Sequence, residues 1–220
     1  MARTGGICTF IMIGAIIVAM LVSIGAKDAP VLGIVGLVLN FAAFVLWFVV
    51  MIALKVNFAQ NGFPRGGVIW ATIALTVLII VVGVAAAIAV GMEMSRDGAN
   101  LEPAAILRAF GIWGVVLGLM FIALQFCFLL LGVRLSEYGA IGGGVWKGAG
   151  IVLIIAASLG MLITALYVLA VLTEAWGLII VAGILGLIAA LLWAVVWLLI
   201  GIGFMGDANR MAMAGEPARR

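Results

Sequence analysis

Asn40, Thr72, Thr76, Gln125, Ser158 and Thr164 are polar side chains set inside long apolar runs of this sequence. Asn40 falls near the midpoint of its run and Gln125 in the latter half of another, while Thr72 and Thr76 stand one helical turn apart. An amide without a partner in an apolar medium costs several kcal/mol, so Asn40 and Gln125 are expected to face other helices or a wet cavity. Two kinds of chemistry fit. A line of such groups could pass a small molecule or an ion. Alternatively, each group bonds helix to helix, a contact worth about 0.6 kcal/mol on average. Carriers driven by protons or sodium usually keep an acidic residue deep in a span. No charge interrupts these runs, which favours the second reading.

Other chemistry is narrowed by residue type. With His 0 in the sequence, His-bound metal, His-ligated haem and Ser-His or Cys-His nucleophile pairs are excluded. Cys8 and Cys127 form no cluster that could hold iron–sulfur or zinc within the chain. Met92 with Met94, and Met211 with Met213, are soft thioether pairs suited to Cu(I), but without other soft ligands they read as flexible apolar filler. Glu93, Asp97, Glu102 and Glu174 could together hold a divalent cation weakly; solvated loop charge is the simpler account. No catalytic set emerges, and the expectation is a non-enzyme with no metal and no cofactor.

These groups must be positioned by elements that the composition defines. The chain has 220 residues, 68% hydrophobic and 9% charged, with 30 glycines. Soluble domains are about 45–50% apolar and about 25% charged. A chain this short cannot hide such a surplus in one core, because most of a small protein is surface. The uncharged intervals are 4–26, 29–54, 66–92, 109–133, 148–173 and 175–206. Each exceeds the roughly 20 residues that cross a ~30 Å hydrocarbon core, and none alternates as a barrel strand does. The expected fold is all-α: a polytopic bundle of six transmembrane helices with short loops. The spans are placed at about 5–26, 30–54, 67–92, 103–133, 146–172 and 175–205, in a single domain with a short tail at 207–220. The first run is too long for a signal-peptide core and is read as a span.

Loop charges set the threading. With the N-terminus cytoplasmic, Arg3, Lys55, Arg65, Arg134, Lys147, Arg210, Arg219 and Arg220 lie inside, against Lys27, Arg96 and Arg108 outside. Cytoplasmic loops carry the basic excess, so both termini are expected there, in a bacterial inner membrane or a eukaryotic plasma or endomembrane. Asp28 and Pro30, and Asn100 with Pro103, are expected to start the second and fourth helices. Arg108 is expected to snorkel to the headgroups. The net charge of +3 reflects this topology, and no basic tract suits nucleic acid.

Small and aromatic residues suggest how the helices meet. Gly111, Gly114 and Gly118, then Gly139 with Gly143 and Gly144 with Gly148, are spaced for close helix approach. Trp47, Trp193 and Trp197 lie within spans and could form an aromatic wall against a lipid or a planar ligand. Trp70, Trp146 and Trp176 read as interfacial anchors. Residues 54–70 and 133–146 share a terminal cation, a glycine-rich turn and a Gly-Gly-Val followed by Trp, which either duplication or common hairpin physics explains. The function expected is helix–helix association, as an accessory or scaffold subunit of a membrane complex or as a self-assembling protein. The expected partners are membrane lipids and other transmembrane helices, in a homo-oligomer or a larger complex. The alternative is a small transporter or channel with a polar path near Asn40, Gln125, Thr72, Thr76 and Thr164.

Overall fold

A computed structural model describes residues 1–25, 30–63, 66–96, 103–173 and 175–215. Six α-helices make up its regular structure: α1 (Ala2–Gly25), α2 (Pro30–Gln60), α3 (Gly67–Arg96), α4 (Pro103–Gly142), α5 (Gly144–Thr173) and α6 (Trp176–Gly215). All six are long and apolar enough to cross a membrane. The expected turn residues Asp28, Asn100 and Glu102, and the acids Asp97 and Glu174, lie outside the described residues, as do the side chains of Glu93, Met94, Arg96, Arg108 and Trp176.

The helices outrun the uncharged intervals. α2 continues through Lys55 to Gln60, α4 through Arg134 to Gly142, and α6 through Asp207 and Arg210 to Gly215. A charge ends an apolar window but breaks no backbone hydrogen bond, so it does not end a helix. Residues 207–215 therefore continue α6, where a tail was expected. α4 itself begins at Pro103, where the fourth span was placed, and runs past the expected end at Val133 to Gly142.

What ends these helices is local. At the close of α2, Gly62 takes a positive φ of 71°. Its N–H bonds to Ala59 O at 3.2 Å, and Phe63 N–H bonds to Phe58 O at 2.8 Å. This is a Schellman cap, and its accompanying apolar contact is the edge-on pair Phe58–Phe63 at 5.2 Å. At the close of α4, Gly143 has φ 94° and donates to Gly139 O at 2.9 Å, so one residue turns the chain into α5. Within α4 the backbone leaves helical geometry at Gly111 (φ 19°, ψ −118°).

The chain divides into two compact units. The first holds Met1–Ile69, Gly132–Val152 and Trp193–Arg220. There α1 packs antiparallel on both α2 and α6: Gly5 lies against Ala53 and Phe204, and Gly201 lies against Phe10. Its core is large and aromatic, with Phe58, Tyr138, Trp146 and Phe204 all fully buried. The second unit holds Trp70–Leu131 and Leu153–Leu192. Its core is mainly aliphatic, with Ile79 and Ala86 on α3, Leu124 and Leu131 on α4, Leu153 and Ala157 on α5, and Ala182 on α6. There α4 and α5 pack antiparallel, with Gly118 against Val168 and Gly160 against Gln125.

Candidate functional site

The densest polar chemistry lies in the first unit, around Asp207. Its side chain is 2% exposed. One carboxylate oxygen, Oδ2, accepts three hydrogen bonds: from Asn57 Nδ2 at 2.7 Å, Tyr138 OH at 2.9 Å and Trp146 Nε1 at 3.1 Å. The other oxygen, Oδ1, accepts from Arg210 on the next turn of α6. Asn57 comes from α2, Tyr138 from α4 and Trp146 from α5, so one carboxylate joins four helices. Arg210 also donates to the carbonyls of Ile141, at 3.1 Å, and Gly142 at the end of α4. Those carbonyls have no partner within their own helix, and a basic side chain is a common way to satisfy them.

Packing holds this clasp in place. The Trp146 ring covers Gly203, where an added Cβ would sit 2.7 Å from the ring. It meets Tyr138 and Phe204 edge-on, at 5.4 and 5.3 Å. Phe58 lies 4.6 Å from Tyr138. Moving a carboxylate out of water costs several kcal/mol, and hydrogen bonds to a charged group return about 1.5–3 kcal/mol each. With three neutral donors and one guanidinium, both oxygens are occupied. The chemistry this arrangement performs is cohesion: it ties one end of α2, α4, α5 and α6 together.

This corrects two expectations. Trp146 is not an interfacial anchor: it is fully buried, because its indole N–H has a carboxylate to reach. Trp70, by contrast, is half exposed, so the two similar hairpins use their tryptophans differently. Asp207, the first residue of the expected tail, is interior. Asn57, Tyr138, Asp207 and Arg210 were all missed as site residues, since Asp207 is the charge that bounded its apolar run and the other three lie beyond such a charge. One signal was available: Asp207 and Arg210 are three residues apart, with no helix breaker between them, which is the spacing of a helical ion pair.

The expected site residues are dispersed. Asn40 is on an exposed flank of α2, and its Nδ2 turns back to Gly36 O at 2.9 Å. Thr76 bonds back to Thr72 O at 2.8 Å, and Thr164 to Gly160 O at 2.8 Å. These donors act within their own helices, four residues back, as threonine hydroxyls commonly do. Thr72 is fully buried and Ser158 is exposed. Gln125 packs its amide on Gly160, and its Oε1 is buried with no hydrogen-bond partner.

The glycines separate by role. Gly118 approaches Val168 and Gly139 approaches Lys147 closely enough that a Cβ would collide. Gly111, Gly143 and Gly144 face open space, and Gly148 has only an ordinary contact with Leu199. Gly111 breaks the helix and Gly143 makes the turn, so those two serve the backbone. Gly114 is half-buried. One close crossing was not anticipated: a Cβ on Gly150 would meet the backbone of Gly132 and Ser136. Among the aromatics, Trp193 and Trp197 stack at 6.1 Å, while Trp47 packs with Phe44 and Phe48.

No group of three or more His, Cys, Asp or Glu side chains gathers as a metal site among the described residues. Comparison with protein-family models, with curated proteins and with solved structures finds no match to this chain.

Proposed function

We propose that this chain is an integral membrane protein that crosses the bilayer six times, with both termini cytoplasmic, and acts by helix–helix association. Its role would be an accessory or scaffold subunit, or a self-assembling protein. The observation that carries this reading is Asn40. Its amide sits on an exposed flank of α2 beside Leu37 and Phe41, which are 71% and 68% exposed. In lipid an outward-facing amide is costly. A neighbouring transmembrane helix removes that cost. The Asp207 clasp supports the same reading, since its buried carboxylate holds helices together. Lipid covers the remaining apolar surface.

A second reading, a small transporter or channel, draws on Gln125. A buried acceptor without a partner costs about 1–3 kcal/mol, and a passing solute or water could meet it beside Gly160 and Thr164. Asn40, on an exposed flank of α2, gives this reading no support. Gln125→Leu separates the readings. Association predicts unchanged or raised thermal stability, because an orphaned acceptor is removed. A path predicts that proteoliposome leak, followed with pH- and potential-sensitive dyes, is abolished by the same change.

A further inference from the structure

We infer that α2 pairs with α2 of a second copy of this chain, through a seam that runs Leu37, Asn40, Phe44 and Trp47. The inference rests on the association reading and names its partner. The residues recur at steps of three, four and three, which is the spacing of helices packed at a shallow crossing angle. They share one side of α2, and Phe41 and Phe48 flank them. On the upper part of this side Leu37 and Phe41 are 71% and 68% exposed, and Asn40 is exposed.

Below Asn40 the seam is already ordered. Phe44 and Trp47 lie nearly parallel, at 9° with centroids 6.2 Å apart. Phe48 meets both edge-on, at 4.8 and 5.0 Å. These rings are half-buried, so each keeps an outward part while its neighbours fix its rotamer. A partner therefore meets a prearranged surface, and little side-chain freedom is lost on contact.

The hydrogen-bonding of Asn40 favours a second copy over a foreign partner. A carboxamide carries two N–H donors and a carbonyl acceptor. One donor is used on Gly36 O. That leaves one donor and the carbonyl, a set complementary to itself. Across a two-fold axis, donor meets acceptor twice and nothing is left over, as an isologous contact requires. The seam holds no charge that would select an oppositely charged helix. A single buried Asn in an apolar seam also fixes register and copy number.

The test uses the full chain in lipid discs cut directly from the membrane. Single cysteines are placed by Asn40→Cys or, about 140° around α2 from it, by Val45→Cys, in a Cys8→Ser, Cys127→Ala background, and oxidised. The expected result is a two-copy cross-link from position 40 and none from position 45. In otherwise unaltered chains, Asn40→Leu should weaken pairing about 3- to 20-fold, the range measured for interhelical side-chain bonds in membranes, while Asn40→Gln retains most of it. Pairing through position 45, or a foreign subunit bound to a single copy, overturns this seam and leaves the association reading standing. A chain that is alone in the discs overturns both.

Discussion

At the scale of single residues, Asp207 carries the most. Removing it leaves Tyr138 and Trp146 with buried donors and no acceptor, and Asn57 with only its 3.3 Å bond to Tyr138 OH; breaking a buried ionic contact costs about 3–5 kcal/mol. Asp207→Leu should therefore lower the melting temperature sharply. Tyr138→Phe removes one donor and should cost about 1.5–3 kcal/mol. Arg134→Ala breaks the exposed pair with Glu137, 2.8 Å apart, and should cost under about 1 kcal/mol. Thermal unfolding of the three variants in one lipid environment checks the order; an Asp207→Leu protein as stable as Arg134→Ala would show that the clasp does not bind the helices. The sequence makes these residues visible but not their meeting. Asn57 and Asp207 are 150 positions apart, and their 2.7 Å bond exists only because α2 and α6 end at the same place. Asn40 and Gln125 could be recognised as unusual from one sequence. Which way each points could not, because spans that are apolar all round give no periodic signal of inside and outside.

At the scale of elements, the six helices were legible because apolar runs of 23 or more residues have few other solutions. Their ends were not, since helix caps depend on φ and on carbonyl partners, not on charge. Gly62 and Gly143 show this: a positive φ closes both helices. Glycine spacing was only partly informative. Gly118 and Gly139 do mark close approaches, whereas Gly111 and Gly144 look alike in sequence and face open space. Gly150 and Gly203 are tighter than most and stood in no anticipated motif. Two substitutions separate the roles. Gly150→Leu should prevent α4 and α5 from meeting, because its Cβ would fall on backbone atoms that cannot yield. Gly14→Ala, with nothing within 4 Å, should be neutral or stabilising by about 0.5–1 kcal/mol. Thermal stability and protease resistance read both; equal loss in the two variants would contradict the packing described.

At the scale of the whole molecule, buried chemistry and exposed surface point the same way. Among the described residues the buried Asp207 carboxylate is fully engaged, and Asn40 sets an amide in an exposed apolar flank. That distribution supports the proposal that the protein works at its surface, in contact with lipid and with other helices. The most direct test is native mass spectrometry of the chain in lipid discs cut from its own membrane without detergent. The account predicts a defined complex, either two copies or a fixed ratio to another membrane protein, that loosens when Asn40 is replaced by Leu. A single copy carrying only lipid, unchanged by that substitution, would contradict it.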